Sequence, residues 1–394
     1  MNLHRICKKA VKYISCTVKF GAARVVSPFF KNKAKYKNLW LISERGIDAR
    51  DNGYYLFKYI TQNHPEINIA FAISRDSSDR PRVETLGNLI NRGSFAHYLA
   101  LVLSKVKIST HIMGYTPDID FFIRADKHGW VKGKKIFLQH GVTKDNITFL
   151  YSNNVNVDLF VCSAESEHKY VQKQYGYDAG AARLLGLCRY DALYKIKEKS
   201  RKILIMPTWR YDLRGAERKE FTESDYFKAF NGLLNSRRLE EILEKYNYEV
   251  LFYPHMEIQR FIDCFSGGDR VKIMSFGDCT VQELLIKTDV LITDFSSVFF
   301  DYGYMGKPMI FYQFDEEKFR KNHYSEGYFS YKRDAFGDVV YDERTLLDSL
   351  ERILANGAET DGKYLDRINQ FFTLRDTNNC ERNFNAVKKI CDRG

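Results

Sequence analysis

Val290-Leu291-Ile292-Thr293 runs straight into Asp294-Phe295-Ser296-Ser297-Val298-Phe299-Phe300-Asp301-Tyr302. The first four residues are apolar or β-branched and show no polar face, which predicts a strand buried on both sides in a parallel sheet. The turn that follows feeds a helix expected over 296–305, with Gly306 as its stop, and Lys307-Pro308 opens a further strand over 309–312. Strand, turn, helix, strand is the repeating unit of an α/β fold.

Outward from this stretch the same alternation recurs. Upstream, Thr280 and Glu283 form a capping box opening a short helix to about Lys287, 239–246 reads as a helix, and 202–206, 249–253 and 271–274 read as strands. Before residue 190 an independent series has strands at 38–43, 67–73, 105–109, 135–138 and 159–162, and helices at 54–63 and 166–174, the last ending at Gly176. The fold class is therefore α/β, with two facing Rossmann-like domains of parallel sheet. We expect a first domain over 38–190, a second over 191–345, and terminal helices over 346–394. In such sheets ligands bind beyond the carboxyl ends of the strands.

The composition narrows the partners. Of 61 basic residues, ten (Arg5, Lys8, Lys9, Lys12, Lys19, Arg24, Lys31, Lys33, Lys35 and Lys37) precede the first acidic residue, Glu44, which leaves 51 basic against 50 acidic residues in the body. A near-neutral body removes the electrostatic argument for nucleic-acid binding. Eight scattered cysteines with no C-x-x-C pair fit free thiols rather than a disulfide framework or a zinc site, so no metal is assigned. Residues 3–23 read as an amphipathic helix, with Leu3, Ile6, Cys7, Ala10, Val11, Ile14 and Val18 on one face and lysines opposite. It is too often interrupted by lysine to span a bilayer. Segment 1–37 is expected to lie on an anionic membrane surface, the other reading being a helix docked on the protein's own body.

Candidate chemistry falls at the expected strand ends. Gln139-His140-Gly141-Val142-Thr143-Lys144 delivers an imidazole, able to accept a hydroxyl proton near pH 7, to a glycine turn with a lysine close by. Pro207-Thr208-Trp209-Arg210 ends a strand with an arginine whose planar fork suits phosphate, and Tyr253-Pro254-His255 repeats the strand-proline-histidine order. Ser296 and Ser297 at a helix start offer hydroxyls and free N–H groups to phosphate, or simply cap the helix. P-loop and dinucleotide fingerprints are absent from the sequence.

Together these residues resemble the CDP-glycerol glycerophosphotransferases that build teichoic acids and related capsular polymers. The resemblance rests on His140-Gly141 with Lys144, Pro207-Thr208-Trp209-Arg210, Pro254-His255, the run Thr293 to Tyr302, Lys307 to Tyr312, and Ser43-Glu44-Arg45-Gly46 through Asp51-Asn52-Gly53. It implies a GT-B-like enzyme that moves glycerol phosphate, or a related polyol phosphate, from a CDP-activated donor to a hydroxyl of a polymer or lipid-linked glycan, releasing CMP at the cytoplasmic face of the membrane. It implies His140 and His255 as catalytic residues. Thr208, Arg210, Thr293, Asp294, Ser296, Ser297 and Asp301 fall on the donor side, and Gly141, Lys144, Asp51 and Asn52 on the acceptor side. No cofactor is demanded, and a divalent metal is compatible with the chemistry. Where the family has an arginine-glycine pair this chain has Glu326-Gly327, leaving Arg320, Lys321 and Arg333 as replacements. The competing readings are a GT-B glycosyltransferase using a nucleotide sugar and a non-enzymatic, membrane-docked polyanion binder.

Overall fold

The computed structural model describes residues 3–194, 199–322 and 325–392. Two compact units emerge. The first comprises residues up to Val142, Thr148–Asp191 and those from Asp376 onward; the second comprises Thr143–Ile147 and Ala192–Arg375.

The first unit is built on seven strands: β1 (Trp40–Ser43), β2 (Ile69–Ile73), β3 (Asn88–Asn91), β4 (Val106–Ser109), β5 (Lys134–Phe137), β6 (Leu159–Cys162) and β7 (Ala182–Leu184). They lie in the order β3-β2-β1-β4-β5-β6-β7, and every pairing is parallel. The second has six, β8 (Lys202–Ile205), β9 (Glu249–Phe252), β10 (Val271–Ile273), β11 (Val290–Thr293), β12 (Met309–Tyr312) and β13 (Asp338–Val340), in the order β10-β9-β8-β11-β12-β13, again all parallel. Both sheets are doubly wound. Strand order reverses between β1 and β4 in one unit and between β8 and β11 in the other, which opens a crevice beyond those strands' carboxyl ends.

The central strands β1, β2, β4, β6 and β11 are buried at every position, as expected of largely apolar runs, and β4 also buries Lys107, whose ammonium donates to the Ser104 carbonyl. Strands β3, β7 and β13 were not anticipated: they carry Asn, Arg or Asp and are only partly buried, so their sequence lacks that run. The Thr280–Glu283 capping box is present with both of its hydrogen bonds, and Gly176 ends its helix in the left-handed conformation at φ 75°. The C-terminal helices divide. Glu343–Ala355 and Gly362–Phe371 belong to the second unit, whereas Asn379–Asp392 returns to the first, where Asp191 accepts hydrogen bonds from the backbone N–H groups of Asn379 and Cys380.

The N-terminal helix, Leu3–Val26, buries Cys16, Phe20 and Ala23 in the core of the first unit against Tyr98, Phe121 and Phe122. The opposite side leaves Val11, Ile14, Val18 and Val25 in solvent, with Phe29 beyond the helix. The helix thus has two apolar faces where the sequence suggested one, because the buried stripe is aromatic and cysteine-bearing. Lys12 is drawn to Asp118 instead of standing free on a basic face. The side chains of Leu3, Ile6 and Cys7 lie outside the described residues. No described helix is long and apolar enough to cross a membrane.

Candidate active site

In the first unit the residues that follow β1, β4 and β5 meet at the crevice. Gln139, just past β5, is a non-glycine residue at φ 60°, a left-handed conformation costing on the order of 1–2 kcal/mol. It is held there by its surroundings. Its amide donates to the Val161 carbonyl and to Glu167, and its own carbonyl accepts from Asn52 Nδ2 at 2.8 Å. Asn52 Oδ1 accepts from the Arg189 N–H at 3.0 Å, and the Arg189 guanidinium donates to Asp51 at 2.6 Å and to the His140 carbonyl at 3.0 Å. The polar atoms of Asp51 and Asn52 are thus engaged by Arg189 and the Gln139 carbonyl, and it is Arg189 that holds the His140 backbone. Arg189, which the sequence gave no reason to single out, completes the clamp.

His140 is exposed at the end of this clamp. The protein mass around it and the nearby Arg189 push its pKa down to about 4, against a smaller raising effect of the Thr110 backbone. The ring is thus neutral at pH 7. A neutral imidazole keeps one nitrogen lone pair that can accept a proton. Beneath it Glu44 is buried and accepts from the backbone N–H groups of Arg50, Asp51 and Tyr54; burial first, and then Asp51 and Asp48, raise its pKa to about 8.

In the second unit the corresponding crevice is floored by Arg210. Its guanidinium is buried and fully committed: Nε and Nη2 form a bidentate pair with Asp315 at 2.7 and 2.9 Å, and Nη1 donates to Asp294 and the Thr208 carbonyl, both at 2.8 Å. The rings of Tyr226, Phe295, Phe314 and Phe319 surround it at 5.1–5.7 Å. Arg210 and Asp294, expected on the donor side as direct contacts, are paired with each other. The reason is the four aromatic rings, which exclude the water that would otherwise solvate an unpaired fork. Thr293 Oγ1 likewise donates to the Met206 carbonyl at 2.7 Å, joining β11 to β8, and Asp294 Oδ1 accepts from the Thr208 N–H. The Thr208 hydroxyl is buried without a hydrogen-bond partner. Ser296 is half-buried and Ser297 exposed ahead of a helix that starts at Val298, two residues later than expected, and Asp301 is buried inside it.

His255 follows β9 and lies beside Trp209, ring centroids 6.2 Å apart. Its Nδ1 accepts from the Glu257 N–H at 3.2 Å, so the neutral ring carries its proton on Nε2. Desolvation lowers its pKa.

Lys144 departs from expectation. Gly141 stays with the first unit, but Thr143–Ile147 belongs to the second, where Asp145 bridges Glu326 in antiparallel fashion and Asn146 N–H donates to the Ser325 carbonyl at 3.0 Å. Lys144 is buried there, paired with Asp145, and Arg320 approaches the same carboxylate at 3.4 Å. A Cβ on Gly327 would lie 2.3 Å from the Lys144 carbonyl, so glycine at this position is what admits the segment. Arg333 is taken up by Asp334 and the Tyr328 carbonyl, and Lys321 is exposed; of the three replacement cations, only Arg320 is half-buried near β11, over the Phe295 ring at 5.7 Å.

Residues 25–389 match the family described as CDP-Glycerol:Poly(glycerophosphate) glycerophosphotransferase. The chain belongs to this family. Among its relatives is the minor teichoic acid biosynthesis protein GgaB of Bacillus subtilis, 34% identical over 99% of this chain and 44% of that protein. A teichoic acid glycerol-phosphate transferase of Staphylococcus aureus is 30% identical over 43% of this chain and 39% of its own length. The chain thus spans less than half the length of these curated relatives. The wall teichoic acid polymerase TagF superposes with a TM-score of 0.67 at 16% identity, covering 100% of this chain and 99% of that one, a likeness that establishes the GT-B-like fold.

Proposed function

We propose that this member of the family transfers glycerol phosphate, or a related polyol phosphate, from a CDP-activated donor to a hydroxyl of a teichoic-acid-type polymer or lipid-linked glycan. One observation carries the reading: an exposed, neutral imidazole, His140, stands past the carboxyl end of β5, the strand beside the switch point of a doubly wound sheet. In the step proposed, that nitrogen takes the acceptor's hydroxyl proton while the oxygen attacks the donor's β-phosphorus. A new P–O ester forms, the bond from the β-phosphorus to the bridging oxygen breaks, and CMP leaves with the electron pair. His255 Nε2–H, Ser296, Ser297 and Arg320 donate to the phosphate oxygens, while Arg210 and Asp294 hold the strand ends on which those donors stand. Positioning and charge stabilisation dominate such transfers. Names among the relatives include both glycerol-phosphate and ribitol-phosphate enzymes, which supports a CDP-polyol donor of one of these kinds. Incubation with CDP-glycerol, CDP-ribitol and a membrane extract tests this. CMP release with polyol phosphate in the polymer is expected; a nucleoside diphosphate formed from a nucleotide sugar would overturn it.

The same reading places the chain on the cytoplasmic face of the membrane. The solvent-facing stripe of Val11, Ile14, Val18 and Val25 is flanked by Lys8 and Lys19, a pairing that suits an anionic leaflet. Flotation with phosphatidylglycerol vesicles should carry the protein, and Ile14→Asp with Val18→Asp should release it; equal flotation of both would contradict this placement.

A further inference from the structure

We infer that His111 is a positioning residue for His140, a role that rests on the proposed use of His140 as proton acceptor. The two imidazoles stack face to face, ring centroids 4.6 Å apart and planes 13° from parallel. His111 stands just past β4, at the switch point itself, and its own placement is fixed. Its Nδ1 lies 3.0 Å from the Thr110 hydroxyl, and its backbone N–H donates to Ser109 Oγ at 3.2 Å. Ser109 Oγ in turn donates to the Glu44 carbonyl at 3.0 Å, which ties the β4 loop to the end of β1. The loop cannot drift away from this position. Met113 is held at φ 59°, and Gly114 packs so closely that a Cβ would lie 1.9 Å from the Glu44 carbonyl oxygen and 2.3 Å from Ser109 Oγ.

One residue pair thus governs His140 from below. Thr110 sets its hydroxyl 3.0 Å from the His111 ring, and His111 lays its face against the His140 ring. The Arg189 clamp fixes the His140 backbone but leaves rotation about its side-chain bonds free. The His111 face removes that freedom, holding the imidazole flat over a rigid ring so that the lone-pair nitrogen keeps one direction. A histidine on an exposed turn otherwise samples several rotamers, and only one presents the base to the acceptor.

The test uses the full chain with CDP-glycerol and a membrane-extract acceptor. His111→Ala should lower kcat roughly 10- to 100-fold while leaving the donor KM unchanged, because misplacement by about 1 Å can cost that much. His111→Phe, which keeps a ring face, should recover kcat to within about threefold of wild type. Should His111→Ala fail to fold, His111→Asn reads the same loss, since it keeps a partner for Thr110 but no face. Wild-type kcat in the folded Ala or Asn variant overturns the inference, as does a folded Phe variant no better than Ala. His140→Ala, run alongside, separates the two ideas: wild-type turnover there defeats the proposed function itself, whereas loss there with none in His111→Ala defeats only the role of His111.

Discussion

The two strand-end regions, one around His140 and one around His255, present the same side chain in different surroundings, His140 stacked on His111 and His255 beside Trp209. His140 is an exposed, neutral ring stacked on His111, with one lone pair to offer a substrate. His255 receives a backbone N–H on Nδ1, which leaves an N–H to offer. The foundations differ as well. The His140 turn is strained and held by the neutral Asn52 and the Arg189–Asp51 pair, while the second region rests on an arginine shared by two buried carboxylates.

This contrast breaks most sharply at His140. His140→Ala should reduce transfer by on the order of 10²–10⁴-fold, the usual worth of a positioned base, with donor binding retained. In the second region the largest effect should be on stability. Arg210→Ala strips the partner from Asp294 and Asp315 and should destabilise the protein by about 3–5 kcal/mol, read by denaturant melting. Arg210→Lys should rescue little, since an ammonium cannot make the bidentate pair. If both variants melt like wild type, the buried triad is not the foundation described.

Next in size is Asn52→Ala. It leaves the Gln139 carbonyl and the Arg189 N–H without their partner, costing about 1–3 kcal/mol and letting the left-handed turn relax, so activity should fall with stability. Unchanged kcat in a folded Asn52→Ala protein would detach the turn's strain from its use. The smallest effect concerns pH. His140 titrates at about 4 and His255 below its ordinary 6.5, so both are neutral at pH 7 and protonation removes the acceptor lone pair. Activity should hold from pH 8 to 6 and fall only below that. The His140 shift also favours folding above the unfolded pKa of about 6.5, and that stability should be lost as pH falls from 6.5 toward 4. An acid limb centred at 6.5 would contradict the shift.

Much of this was legible in the sequence because the signals were local. The run Val290–Thr293 matches its strand residue for residue, and His140 and His255 follow β5 and β9 where strand ends were expected. What escaped notice depends on contacts between distant positions. Arg189 joins Asp51 across 138 residues, and His111 meets His140 only because β4 and β5 are neighbours. Neither lies in a motif. Arg210 was read correctly as a strand-end arginine but not as a committed one, since Asp315 and the aromatic box come from elsewhere in the chain. The lone Lys144 followed a histidine motif in sequence and still joined the other unit, because Gly327 gives its backbone room to pair.

The most direct test is a paired measurement on His140→Ala with CDP-glycerol: donor affinity by calorimetry and turnover by CMP release. A base acting on the acceptor predicts donor affinity within about threefold of wild type and turnover lower by 10²-fold or more. Turnover at the wild-type rate, or loss of donor affinity large enough to explain the whole defect, would contradict it.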